Sequence, residues 1–263
     1  MTIPNGVEKI RSLTFWECYD LTKVTLPETL KEIEDGAFQE SGIKEINIPS
    51  GVIKIPYGAF SRCYDLTKVI MPNTITEIGE TAFYRCDALV NVNLPTSLTK
   101  IGTEAFAHSA LTEIVIPSSV TEIGASAFYY CKFLKKVQLS SSMACIESKT
   151  FQDCEALKTV VIPSSVKTIG YEAFDGCPLT RIEIGEGIES IDTGAFGYSS
   201  DTYPNISIYI KALTPPQIKY NSFVFPWLAT WYVPKESVDV YRSSLYTCYY
   251  DYDLLDTYVV GYY

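Results

Sequence analysis

Apolar residues recur along this chain at fixed long intervals, and that recurrence carries the reading of the fold. A phenylalanine column (Phe15, Phe38, Phe60, Phe83, Phe106, Phe128, Phe151, Phe174, Phe196) advances by 22 or 23 residues at each step. An isoleucine stands five residues before each, from Ile10 and Ile33 to Ile169 and Ile191. Another aliphatic stands three residues before that, from Val7 and Leu30 to Val166 and Ile188. The residue just before the phenylalanine is alanine, or threonine at Thr14 and Thr150. The second half of each unit begins at a leucine and ends at a proline, as in residues 21–27 (LTKVTLP), 66–72 (LTKVIMP), 111–117 (LTEIVIP) and 157–163 (LKTVVIP). Its apolar-variable-apolar alternation is strand periodicity with one buried face. Proline then ends the strand, because it has no N–H for a ladder. The length variation lies between the phenylalanine and the next leucine position, five residues apart at Phe38–Ile43, Phe106–Leu111 and Phe174–Leu179 and six elsewhere. A packed segment could not absorb that change, so this part is a surface turn.

A single unit cannot bury its own apolar positions, whereas stacked units bury each column against its own copy in the next turn. The pattern predicts a mostly β repeat solenoid of the α/β repeat type, right-handed, with about nine to ten coils and a C-terminal cap. Neighbouring strands are expected to pair in parallel at roughly 4.8 Å, giving one long sheet and a rod on the order of 45 Å long.

Segments 119–131 (SVTEIGASAFYYC) and 165–177 (SVKTIGYEAFDGC) match the pattern LxxVxLPxSVTxIGxxAFxxCxx almost residue for residue. The repeat therefore resembles the BspA-like class of leucine-rich repeats, over at least residues 3–234. The resemblance implies a bacterial, Bacteroides-type surface or secreted protein that binds host or neighbouring-cell macromolecules. The stretch TPP…SF…YVPKESVDVY is similar to the terminal cap of many surface proteins of this class.

The two ends depart from the repeat. Ile3-Pro4 reads as the tail of a strand whose leucine is missing, so the first repeat is truncated and further repeats are expected upstream. Tyr198 to Tyr203 form an insertion, after which residues 206–216 read as a strand and a Pro-Pro turn. Ile218 and Phe223 restore the five-residue spacing, 228–234 restore the strand, and 235–244 (KESVDVYRSS) read as a short helix. One domain is expected, with a solenoid over 1–234 and a capping segment over 235–263. Residues 241–263 hold eight of the chain's twenty tyrosines. Packing over the last coil with hydroxyls to water is the main expectation for them; a sugar-stacking platform is the alternative.

Composition narrows the function. The chain has 263 residues, 47% hydrophobic, and a net charge of −10. An acidic surface argues against nucleic acid and anionic membranes as partners. The chain has no apolar run long enough to be a transmembrane helix, and its start lacks the features of a signal peptide. An extracellular or cell-surface location is expected all the same, with any signal or anchor outside this sequence.

Six of the eight cysteines (Cys18, Cys63, Cys86, Cys131, Cys154, Cys177) occupy one repeat position, which Ser41, Ser109 and Ser199 fill elsewhere. This exchange suits a small, weakly polar buried slot holding free thiols, although neighbouring coils lie within disulfide reach. Cys145 and Cys248 stand off the column. No CxxC spacing supports zinc. The residue before each isoleucine alternates in sign (Lys9, Glu32, Lys54, Glu77, Lys100, Glu122), a pattern that favours correct stacking. The lone histidine, His108, falls in the variable turn and reads as solvated. No nucleophile elbow, phosphate loop or zinc-protease motif occurs, so no enzyme, cofactor or metal is expected.

Positions two and four after the leucine point outward together. Mid-rod they include Ile70, Asn91, Asn93, Glu113, Val115, Lys136, Gln138 and Val161, the candidate partner-binding residues. Apolar side chains at Ile70, Val115 and Val161 are unusual on a solvated sheet. The expected partner is an extracellular protein or glycan, met by a monomeric chain. A passive spacer within a larger surface protein is the competing reading.

Overall fold

The computed structural model describes residues 1–197, 206–219, 221–223, 229–248 and 259–262. They form a mostly β solenoid of parallel strands with little helix. The apolar columns meet inside it: Leu30, Val52, Ile75 and Leu98 lie over one another, as do Ile55, Ile78 and Ile101, all fully buried. The polar residues between them stay outside.

Two parallel sheets run along the rod in place of the one expected. The first is built from the segments after the leucines. Glu45–Asn47 pairs with Lys68–Ile70, and Glu113–Val115 with Lys136–Gln138. Thr159–Ile162, Arg181–Ile184, Ile206–Ile210, Ala229–Pro234 and Val259–Tyr262 form a five-stranded piece. The second sheet is made of dipeptides ending in the column isoleucine, such as Lys54–Ile55, Glu77–Ile78, Lys100–Ile101 and Glu122–Ile123. Two residues are too short to show an alternation, which hid this sheet in the sequence. Both sheets come in pieces. In the second, Gly79, Gly102 and Gly124 donate their N–H to the isoleucine carbonyl one coil back at 2.7–2.8 Å. Pro56 stands at that position after Ile55 and has no N–H to give, so the ladder stops between Ile33 and Ile55. In the first sheet, residues 91–93 join no ladder; asparagine, present twice there, is a poor strand former.

The turn around the phenylalanine is bonded without interruption. Each column N–H donates to the residue before the next phenylalanine, from Phe15 to Ala37 O (2.8 Å) through Phe106 to Ala127 O (2.8 Å) to Phe196 and Ser222 O (2.8 Å). The rings of Phe15 through Phe196, and then Phe223, form one stack with centroids 4.8–5.6 Å apart and planes within 17°. The turn is made by two left-handed residues per coil, two before and two after the ring. Gly58 (φ 57°) suits this; Thr81, Glu104 and His108 (φ 53°, 52°, 62°) adopt it against their intrinsic preference.

At the C-terminal end, Lys235–Ser237 forms a 3-10 turn leading into helix α1, Val238–Cys248. Val259–Tyr262 then adds in parallel to Ala229–Pro234, over the fully buried Trp231. Tyr241 is also fully buried, and its hydroxyl donates to Ala212 O at 2.8 Å. That corrects the expectation of a water-facing hydroxyl: a phenol this deep needs a protein acceptor. Tyr262 likewise donates to Ile210 O, at 3.1 Å. The insertion at 198–203 and most other tail tyrosines, among them Tyr249, Tyr250, Tyr252 and Tyr258, lie outside the described residues.

Candidate recognition face

Strand geometry places every second side chain of the first sheet outside. The register sets these in two columns along the rod. One runs Glu45, Lys68, Asn91, Glu113, Lys136 and Thr159; the other runs Asn47, Ile70, Asn93, Val115, Gln138 and Val161. Pairing fixes Lys136 beside Glu113, and Gln138 beside Val115. All eight sequence candidates are exposed on this face. Its apolar members are about half accessible, with Ile70 at 48%, Val115 at 54% and Val161 at 56%. The intervening Val69, Ile114 and Val160 are buried, so the alternation works as the sequence reading required. A cleft of about 590 Å³ lies where the ladder is open, lined by 67–71 on one side and Asn91, Val92 and Asn93 on the other. Thr112 Oγ1 donates to Asn91 Oδ1 at 3.4 Å.

Further along the same face the structure shows an aromatic element that sequence reasoning missed. Tyr209 stacks on Tyr232 at 4.3 Å, with planes 6° apart, and the Arg181 guanidinium lies 4.0 Å over the Tyr209 ring. Arg181 Nε also donates to Glu183 Oε1 at 2.9 Å. Both faces of Tyr209 are thereby covered, so it offers no free platform to a sugar ring. The insertion before residue 206 breaks the repeat count, which is why these two tyrosines could not be assigned to an outward column.

The remaining candidates resolve into structural roles. Lys9–Glu32 (2.9 Å), Lys54–Glu77 (2.7 Å) and Lys100–Glu122 (3.3 Å) are ion pairs across the second sheet. They are solvent-exposed and individually weak, but they match the sign alternation. Cys18, Cys63, Cys86, Cys131, Cys145, Cys154 and Cys177 are free thiols. Five of them donate to a phenylalanine carbonyl one coil back: Cys63 to Phe38 (3.0 Å), Cys86 to Phe60 (3.2 Å), Cys131 to Phe106 (3.2 Å), Cys154 to Phe128 (3.4 Å) and Cys177 to Phe151 (3.1 Å). A serine hydroxyl fits the same slot, and Ser41 and Ser109 contact the next thiol in the column. Burial pushes the Cys63 thiol up to about 11 and the Cys131 thiol to about 12, so neither is a ready nucleophile. Cys145, half-buried, donates to Glu147 Oε1 at 3.1 Å.

His108 is not simply solvated. Its ring meets the edges or faces of Tyr84 (5.5 Å), Tyr129 (5.3 Å) and Tyr130 (4.7 Å). Burial, followed by the nearby Arg85 charge, lowers its pKa. Among the described residues no hydroxyl, thiol or carboxylate hydrogen-bonds it, and no group of three or more His, Cys, Asp or Glu is arranged to hold a metal. No described helix is long and apolar enough to cross a membrane.

Similar proteins share this architecture. A leucine-rich repeat protein from Bacteroides ovatus aligns at 27% identity with a TM-score of 0.60, over 78% of this chain and 59% of that one. This chain therefore spans less than two thirds of that relative. The T. pallidum leucine-rich repeat protein aligns at 24% identity and TM-score 0.50, over 65% of this chain and 71% of that one. The pneumococcal vaccine antigen PcpA aligns at 20% identity and TM-score 0.49, over 99% and 76%. No curated protein sequence matches. The family model for BspA type leucine-rich repeat regions matches residues 1–110, 76–203 and 121–250, and the chain belongs to that family.

Proposed function

We propose that this chain is a non-catalytic surface or secreted binding protein that recognises a macromolecule through the outward face of its first sheet. The observation that carries the reading is the exposure of Ile70, Val115 and Val161 among the polar side chains of the mid-rod sheet face. Apolar side chains gathered in one column of a single face mark a contact surface, and a passive spacer has no use for them. Apolar centres with a polar rim are where binding energy concentrates, and Asn93, Glu113, Lys136 and Gln138 supply that rim. The bacterial surface or secreted location follows from the family resemblance, and the repeat architecture, with its inert thiols and unsupported histidine, favours binding over catalysis.

The test is binding of the purified chain to immobilised extracellular-matrix proteins and to intact bacterial cells. Val115→Asp should abolish binding to whichever surface captures the parent, with an unchanged circular dichroism spectrum. Thr25→Asp, on the same face near the rod's start, should bind normally. If Val115→Asp binds like the parent while substitutions in 241–263 destroy binding, the tail is the site and the sheet-face reading falls.

A further inference from the structure

The two outward columns have a symmetry that the repeat itself does not require. About the coil of Asn91 and Asn93, the first column reads Glu45, Lys68, Asn91, Glu113, Lys136. Reversed end to end, it places lysine over glutamate at every charged position and asparagine over itself. The second column reads Asn47, Ile70, Asn93, Val115, Gln138; reversed, it places amide over amide and isoleucine over valine. The ladder is symmetric about the same point, with Glu45–Asn47 and Lys68–Ile70 paired on one side and Glu113–Val115 and Lys136–Gln138 on the other.

We infer that this face binds a second copy of the chain, with the rods antiparallel about a two-fold axis that runs along the strand direction over Asn91 and Asn93. The inference rests on the reading of this face as the recognition surface and names its partner. An axis along the strands keeps each column opposite its own copy while reversing the coil order. Lys68 then meets Glu113 of the other copy, Glu45 meets Lys136, Ile70 meets Val115 and Asn47 meets Gln138, each contact occurring twice, as in any isologous interface. At the centre each asparagine meets itself, and an amide is both donor and acceptor, so it can pair with its own copy where a lysine or glutamate would repel.

Other dockings fail on the same columns. Shifting the axis half a coil one way sets Glu45 against Glu113, and half a coil the other way sets Lys68 against Lys136. A whole-coil shift puts Lys68 or Glu113 against itself. An axis along the rod crosses the columns and places Lys68 over Ile70 and Glu113 over Val115, charge over hydrocarbon. Juxtaposed like charges and unpaired desolvated charges are what exclude wrong registers. Among the described residues Lys68, Glu113 and Lys136 also make no ion pair, unlike Lys23, which already holds Glu45 at 3.2 Å. Coils at about 4.8 Å and two outward residues per strand give a strip burying roughly 1,000 Å² in total. That is the lower edge of specific interfaces, so the dimer is weak and salt-sensitive.

Sedimentation equilibrium of the full chain from about 1 to about 500 µM tests this. The mass should rise from 29.4 kDa toward twice that value. Lys68→Glu and Glu113→Lys should each weaken self-association by about tenfold or more, because each places like charges together twice. The double variant Lys68→Glu/Glu113→Lys should return to within about threefold of the parent. A monomer at every concentration overturns the inference, as does a dimer whose double variant is no better than the singles. In either case matrix or cell binding lost in Val115→Asp would still uphold the recognition face, whereas a dimer indifferent to Val115→Asp would overturn the inference alone, by placing self-association on another surface.

Discussion

Removing one ring from the phenylalanine stack should have a cost that depends on its place in the rod. Phe106 is fully buried and stacks on Phe83 at 5.2 Å and Phe128 at 5.6 Å. Phe106→Ala deletes the ring and leaves a cavity that neighbours bonded along the turn cannot close, because Phe106 N–H and Phe83 N–H hold the coils at fixed spacing. Buried Phe→Ala substitutions cost about 3–5 kcal/mol. Two lost ring pairs, each contributing about 0.5–1.5 kcal/mol, place Phe106→Ala in the upper part of that range, near 4–5 kcal/mol. Phe15 is only half-buried and has a single ring neighbour, Phe38 at 5.0 Å. With one pair lost and a smaller cavity, Phe15→Ala should cost about 1.5–2.5 kcal/mol. Urea denaturation followed by circular dichroism measures both, with the slope of each transition compared first. Equal costs at the two sites, or a cost below about 2 kcal/mol for Phe106→Ala, would show that the stack does not carry the core.

Other consequences follow from the turns. Gly102→Ala should destabilise by more than about 2 kcal/mol, read as a shift in urea midpoint. A Cβ there would lie 2.5 Å from Glu80 N and 2.6 Å from Gly79 C, both backbone atoms that cannot move aside. Glu104→Gly should instead stabilise by about 0.5–1 kcal/mol, since it relieves a left-handed residue at φ 52° that makes no ion pair among the described residues. The lowered pKa of His108 sets a sign for pH dependence. Its folded value lies below the ordinary 6.5, so the unfolded chain binds the proton more readily. Its contribution is therefore present above about pH 6.5 and lost as pH falls through the folded value. The stability difference between the parent and His108→Gln should shrink on acidification through that window, and a difference that grows would refute the assignment.

Much of this molecule is legible from the sequence because repetition amplifies weak signals. One phenylalanine means little, but nine at steps of 22 or 23 residues, seven of them after alanine, locate an inward column, and the outward candidates follow from counting along the strand. The sequence is silent where a feature does not repeat or is too short to show a period. The second sheet uses two residues per coil. The left-handed positions at Thr81, Glu104 and His108 hold no glycine to announce them, because coil-to-coil N–H bonds force a conformation the residues do not prefer. Tyr209 and Tyr232 follow an insertion that displaces the count. The Val259–Tyr262 strand lies in a tail whose tyrosines obscure its alternation. The order of Glu45, Lys68, Glu113 and Lys136 is readable in the sequence as one column two residues after the leucine, and the ladder pairings on either side of Asn91 give it its symmetry.

The unbroken bonding of the phenylalanine turn, set beside two sheets that come in pieces, has a mechanical consequence. A stack of plates fastened along one edge and only partly along the others does not bend like a uniform beam. Its compliance is directional: plates fan about the fastened edge and resist motion across it. In this rod the fanning is concentrated where ladder bonds are missing: at Pro56 and between Ile123 and Ile146 on one side, and at residues 91–93 and between Gln138 and Thr159 on the other. Curvature can thus change at these four joints while the aromatic stack keeps its spacing, and a partner of slightly different shape can be met by opening a joint instead of deforming the core.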